Sequence, residues 1–408
     1  MPNSRYRWFM LALAALTHTF VMGMPTMSLP VLFPEIARDL GLTLVEVGII
    51  WGISSLTSIV TALLAGAVGD RIGAKNTLMI ACILAGILGA ARGLSSSFVT
   101  LAAFTLLFGL VPTAISTNVH KTCGIWFSGP QLGLANGVAS AGMALGFMLG
   151  SFLAATVLSP WLGGWRNVLF FYGAVAVVMG IIWSTVRPGP EAGRSSTPAV
   201  PVSLRQGLAY VSRIRSLWVL GFVLFGIGGG IQGALGYLPT FLRGAGWPGP
   251  LADSALATFH ATSLIFAIPV ALLSDHLGIR RQILLVAGLI IATGIGLLAM
   301  VSGPAVWVTV MFAGMVRDGF MGVYMTYIIE QPGVGARWAG TAAGLTSTLS
   351  MLATAIAPPL GNSLAAISPN LPFVFWSALA FMGAAGLYYM AGMQRPAESH
   401  SPAWSQPD

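Results

Sequence analysis

Apolar residues run along this chain in twelve long blocks separated by short polar stretches. The blocks lie near 8–32, 44–68, 76–94, 98–119, 132–158 and 167–186, then near 217–241, 252–273, 282–300, 305–329, 339–360 and 372–393. A membrane-crossing helix needs ~20 predominantly apolar residues, and these blocks are of that length. The pattern predicts an all-α membrane protein with twelve transmembrane helices in two pseudo-symmetric six-helix bundles. The first block, preceded by Arg5 and Arg7, outruns the ~7–15 apolar residues of a cleaved leader and reads as an uncleaved span. Between the sixth and seventh blocks, Pro, Gly and Ser dominate PGPEAGRSSTPAVPVS, a composition that builds no packed core. The expected organisation is therefore an N-terminal bundle over 1–186, a linker over 187–216, a C-terminal bundle over 217–393 and a polar tail over 394–408. The basic stretch Leu204 to Arg215 is expected to lie along the membrane surface.

Composition agrees with lipid as the solvent. The chain has 408 residues, 56% hydrophobic and 7% charged, with a mean hydropathy of +0.84. Soluble domains carry ~25% charged residues. The net charge of +8 suggests a nucleic-acid partner until the basic residues are placed. Only Arg38, Arg92, Arg166 and Arg243 fall in loops of one side, and Arg317 lies inside a span. The remaining Lys and Arg residues occupy the other side, which the positive-inside rule makes cytoplasmic, together with both termini. The charge thus sets topology in an inner (plasma) membrane. Cys82 and Cys123 sit in or beside apolar spans with no disulfide or metal spacing.

The two sets of blocks are copies. At an offset of 205, Pro34, Arg38 and Gly41 match Pro239, Arg243 and Gly246, while Asp70, Gly73 and Lys75 match Asp275, Gly278 and Arg280. Phe170 matches Phe375, and GLANGVAS from Gly133 aligns with GTAAGLTS from Gly340. Such internal repeats mark many transporter folds. Glycines in the loop after the second span let helices approach, and Asp70 suits a helix N-terminus or an arginine across an interface, forming a latch.

Gly66, Asp70, Arg71, Gly73 and Lys75 in GAVGDRIGAK resemble the loop motif of the major facilitator superfamily. Asp275, Arg280 and Arg281 in SDHLGIRR resemble its second copy, with Ala271 in place of the first glycine. The resemblance covers residues 8–393. It implies alternating access to a central site lined by the first, fourth, seventh and tenth helices, with the loop motif as a gate. Gly142, Gly146 and Gly150 are similar to the superfamily's antiporter motif, although Phe147 stands where that motif has proline. NVHKTCGIWF and RDGFMGV resemble the small-anion (nitrate/nitrite, cyanate) branch.

The polar residues inside spans carry the candidate chemistry. A charge at mid-bilayer costs ~2.5–3.5 kcal/mol on insertion scales, so Arg317 is expected to face the protein interior. Its planar guanidinium matches carboxylate-like or nitrate-like oxygens. Asp318 is expected to point about 100° away and not simply to neutralise it. Tyr324 shares the Arg317 face; Gln232, His18 and Asn118 lie on spans that line the cavity, so these four join Arg317 as candidate substrate-binding residues. Asp318 and His260 are the candidate proton-coupling groups. The glycines from Gly226 to Gly230 suit either bending or close packing.

No HExxH, GxSxG or nucleotide-binding loop is present, so neither an enzyme nor an ATP-driven pump is expected. The expectation is a secondary carrier for a small organic or inorganic anion, with efflux of a neutral or cationic compound as the alternative. The partners expected are a small anionic substrate, a proton or counter-ion and membrane lipid. No cofactor, metal or nucleic acid is expected, and the carrier is expected to act as a monomer.

Overall fold

The computed structural model describes residues 4–187 and 204–393. Among them, twelve helices are long and apolar enough to cross a membrane. In the first half these are α1 Arg5–Leu40, α2 Leu44–Ile72, α3 Ala74–Leu94, α4 Phe98–Trp126, α5 Gln131–Leu162 and α6 Trp165–Thr185. In the second half they are α7 Arg215–Gly244, α8 Gly249–Leu277, α9 Arg280–Leu297, α10 Ala305–Ile329, α11 Gly335–Ser363 and α12 Leu371–Met393. The twelve helices run back and forth across the bundle, with the first described residues and the loops at Gly73 and Gly278 at one end, here called the motif end.

The repeat is visible in the backbone. Gly41 and Gly246 close α1 and α7 with φ of +65° and +85°, while Gly73 and Gly278 turn the chain out of α2 and α8 with φ of +82° and +65°. A Cβ is disfavoured in that left-handed region, which is why glycine recurs at the same register of both halves. Pro34 and Arg38, with Pro239 and Arg243, are not in loops as expected. α1 continues to Leu40 and α7 to Gly244, so all four sit inside helices. The helices run on past the apolar blocks because nothing stops them before the glycine.

Each half packs its own helices closely, α3 on α6 and, equivalently, α9 on α12. The halves meet through α2 with α11, α5 with α8 and α1 with α7. The first two pairs exchange under the internal twofold. Close approach of α5 to α1 depends on Gly142, Gly146 and Gly150: a Cβ at Gly146 would lie 2.5 Å from the Thr19 carbonyl oxygen. The α7 glycines serve packing in this conformation. α7 is unbroken, and a Cβ at Gly226 would lie 2.7 Å from Gly383 of α12.

The contacts between halves concentrate away from the motif end. Thr354 of α11 donates to Ser55 of α2 at 2.8 Å, Asn362 to the Leu44 carbonyl at 2.7 Å, and Trp51 Nε1 to the Gln232 carbonyl at 2.7 Å. Towards the motif end, Gly133 and Gly137 of α5, Gly322 of α10 and Gly340 and Gly344 of α11 face open space. The hydrogen bonds between the halves thus gather at the end opposite the motif.

Candidate functional site

The structure gathers Arg317, Asp318 and His260 at mid-depth. α10 is not one rod. It breaks after Gly314 and restarts at Arg317, with Val316 (φ −108°, ψ −8°) between the two segments. Arg317 and Asp318 therefore occupy the first turn of a new helix, where backbone N–H groups lack intrahelical acceptors. The Asp318 N–H donates to Ser263 Oγ of α8 at 3.1 Å. An acid in a first turn also faces the positive end of the helix dipole.

This break overturns the expectation that Asp318 leaves Arg317 unneutralised. Arg317 Nη1 donates to Asp318 Oδ1 in an ion pair. The 100° separation of neighbouring Cβ atoms holds, but a long arginine stem at a helix start can curl over it. Both side chains keep about a fifth of their surface exposed, 23% and 22%. Among the described residues, Asp318 is the hydrogen-bond partner of the Arg317 side chain, so its other N–H donors have no protein acceptor.

His260 of α8 is buried beside this pair, and its Nε2 has no hydrogen-bond partner. One residue of the other half completes the group. Phe147 of α5 places its ring 5.6 Å from the Arg317 guanidinium carbon and 5.3 Å from the His260 ring. In the sequence Phe147 marks only a departure from the antiporter motif. Its neighbours Gly146 and Gly150, pressed on α1, orient it across the seam.

The remaining candidates lie elsewhere. Tyr324 is fully buried, and its hydroxyl donates to the Leu220 carbonyl of α7 at 2.8 Å. It ties α10 to α7 and is not turned toward the Arg317 group. Asn118 is buried against Gly69 of α2 and donates to the Ala114 carbonyl at 2.9 Å. His18, in a π-helical turn of α1, hydrogen-bonds through Nδ1 to the Ala139 carbonyl at 2.9 Å and stands edge-on to His120 at 5.5 Å. His120 in turn meets Asn136 at 3.0 Å. Gln232 is half-buried at the α2–α7 seam.

At the motif end, Arg280 bridges Asp275 at 2.6 Å and Glu330, at the end of α10, at 2.8 Å. Glu330 was missed because it follows α10 in sequence and only the fold brings it to α9. Lys121 Nζ reaches the Gly69 carbonyl at 2.7 Å. The side chain of Asp70 and the surroundings of Gly66 lie outside the described residues; Arg71 is exposed and Lys75 half-buried. Arg92, assigned to a loop, is buried instead at the end of α3, its guanidinium carbon 4.1 Å from the Phe108 ring centre.

A family model described as Major Facilitator Superfamily matches residues 11–358. The chain is 24% identical to a cis,cis-muconate transport protein of Acinetobacter baylyi, the match covering 92% of each protein. It is 25% identical to a probable nitrate/nitrite antiporter of Thermus thermophilus, over 80% of this chain and 72% of that one. A hexuronate transporter of Bacillus subtilis is 23% identical over 59% of this chain, a match spanning 56% of that relative. Among solved structures, the nucleoside transporter NupG superposes with a TM-score of 0.77 at 11% identity, covering 95% of this chain and 100% of that one, a likeness of fold.

Proposed function

Because this chain belongs to the Major Facilitator Superfamily, and so is a membrane transporter, we propose that it carries a small anion by alternating access, with Arg317 as the anion-binding group. One observation carries the reading: a guanidinium at mid-depth, on the seam between the halves, whose donors are only partly used by Asp318. Such a charge is costly to place there unless it has work to do. The hexuronate, nitrate/nitrite and cis,cis-muconate transporters named above are named for anions, which supports the same class here.

Asp318 gives the reading its coupling. In the anion-free carrier it is the counter-ion of Arg317. An incoming carboxylate or nitrate-like group competes for the same guanidinium. The released Asp318 would then be an unpaired charge in a desolvated site, and a proton from the cleft neutralises it. Anion and proton then cross together. His260, within electrostatic reach of both residues, is the second proton-coupling candidate.

The basic residues at the motif end support a cytoplasmic position for that end and for both termini in the inner membrane. With the hydrogen bonds between the halves gathered at the opposite end, this conformation is read as inward-facing. The Asp275–Arg280–Glu330 cluster, with its counterpart at Asp70, Arg71 and Lys75, is the gate on that side.

Uptake by proteoliposomes tests the reading. Saturable transport, competed by small carboxylates and driven by an inward proton gradient, is expected of the wild type and not of Arg317→Ala. Transport that ignores anions, or that survives loss of Arg317, defeats it.

A further inference from the structure

Phe147 brings the first half of the protein against the Arg317 group of the second. Arg317, Asp318, Ser263 and His260 all belong to α8 and α10. Phe147 comes from α5, and its ring lies over the Arg317 guanidinium at 5.6 Å and against His260 at 5.3 Å. The α5 backbone has little freedom to withdraw the ring, since the stripe Gly142, Gly146, Gly150 is seated on α1 and Thr19 Oγ1 donates to the Gly142 carbonyl at 2.7 Å. The ring is half-buried and packs partly on the apolar core.

We propose that Phe147 is a specificity residue of the Arg317 site, selecting carboxylates borne on a flat, unsaturated carbon over carboxylates borne on a tetrahedral one. The inference rests on Arg317 being the anion-binding group. A carboxylate held by two N–H groups of a guanidinium lies in the guanidinium plane. The Phe147 ring centre, 5.6 Å from the guanidinium carbon, is within reach of a carboxylate so held and of the first carbon behind it. An aromatic or conjugated acid presents a flat π-surface there, which meets the ring in an offset or edge-to-face contact. A saturated acid has no π-surface to offer, and its tetrahedral carbons project substituents that hold the two apart.

Benzoate and cyclohexanecarboxylate separate shape from charge, having the same number of carbons and one carboxylate each. Cyclohexanecarboxylate is the more apolar, so a preference for benzoate is not a lipophilic effect. Binding to the purified, monodisperse full-length protein is measured by titration calorimetry for wild type, Phe147→Leu, Phe147→Met, Phe147→Trp and Arg317→Ala. Wild type is expected to favour benzoate by roughly 3- to 10-fold, the range of an aromatic contact. Phe147→Leu and Phe147→Met, which differ in packing so that one can report if the other misfolds, are expected to bring the two ligands within twofold. Phe147→Trp is expected to keep the preference. Equal affinities in wild type, failure of benzoate to bind wild type, or a preference that persists without the ring overturns the role of Phe147. Arg317→Ala reports on the premise: if it binds both acids as wild type does, the anion site itself is misplaced. If it loses both while Phe147→Leu leaves the ratio unchanged, only the specificity role fails.

Discussion

Asp253 of α8 is fully buried and receives Arg243 Nη2 of α7 on both carboxylate oxygens, at 2.7 Å each. The pair lies within the second half, yet the first half satisfies what it leaves over. Thr156 of α5 donates to Asp253 at 3.1 Å, and Arg243 Nη1 donates to the Val31 carbonyl of α1 at 2.8 Å. The ion pair therefore reads whether the halves are docked at the end opposite the motif.

Thr156→Val removes one of those cross-half bonds while leaving the ion pair intact. A cysteine introduced at Ser159, beside it on α5, is expected to react faster with a membrane-impermeant maleimide in the Thr156→Val background. Cys82 and Cys123 are buried and contribute little labelling. Unchanged labelling would mean that the contact does not hold this end shut. Asp253→Ala should do more, leaving Arg243 without its partner. Breaking a buried pair costs ~3–5 kcal/mol, and the partial exposure of Arg243 places the expectation at the lower end. The melting temperature in detergent reads it.

Arg317→Ala is expected to abolish measurable binding of the transported anion, and Arg317→Lys to weaken it strongly, because lysine keeps the charge and loses the planar fork. Loss of a desolvated, hydrogen-bonded charge contact typically costs ~2–5 kcal/mol, roughly 30-fold or more in affinity. Binding to monodisperse protein is the measurement. Wild-type affinity in Arg317→Ala would make the arginine structural.

Asp318→Asn separates binding from coupling. With the internal counter-ion gone, the anion no longer competes for Arg317, so affinity is expected to hold or rise. Proton-driven accumulation in proteoliposomes is expected to fall to the level of downhill exchange. Accumulation at the wild-type level would remove Asp318 from the coupling scheme and leave His260 as its remaining candidate.

Tyr324→Phe tests the reassignment of that residue. Its hydroxyl bonds the Leu220 carbonyl, so the variant is expected to lose about 1 kcal/mol of stability. Anion affinity should stay within twofold. A drop in affinity without a drop in melting temperature would restore Tyr324 to the site.

Cysteines at Asn76 and Asn370 test orientation, since both residues are exposed at opposite ends of the bundle. In intact cells Asn370→Cys is expected to label from outside and Asn76→Cys only after permeabilisation. The reverse pattern would invert the topology.

The linear sequence by itself determined the number of spans, the duplication and the placement of basic charge at one end. Those are properties of run length and composition, and no partner is needed to read them. It also singled out Arg317, because a charge at mid-span is costly wherever the helix turns. It did not determine which way each helix faces. Lipid tails are as apolar as leucine, so the hydrophobic pattern of a membrane helix does not separate its protein face from its lipid face. Only packing decided that Tyr324 turns to Leu220, that Asn118 packs on Gly69 and that Glu330 meets Arg280. The break in α10, which lets Arg317 reach Asp318, arises where Gly314 is pressed against the Phe259 carbonyl of α8, a contact between residues far apart in the chain. Phe147 reaches Arg317 for the same kind of reason: the glycines beside it bring α5 down on α1, and the ring is left pointing across the seam.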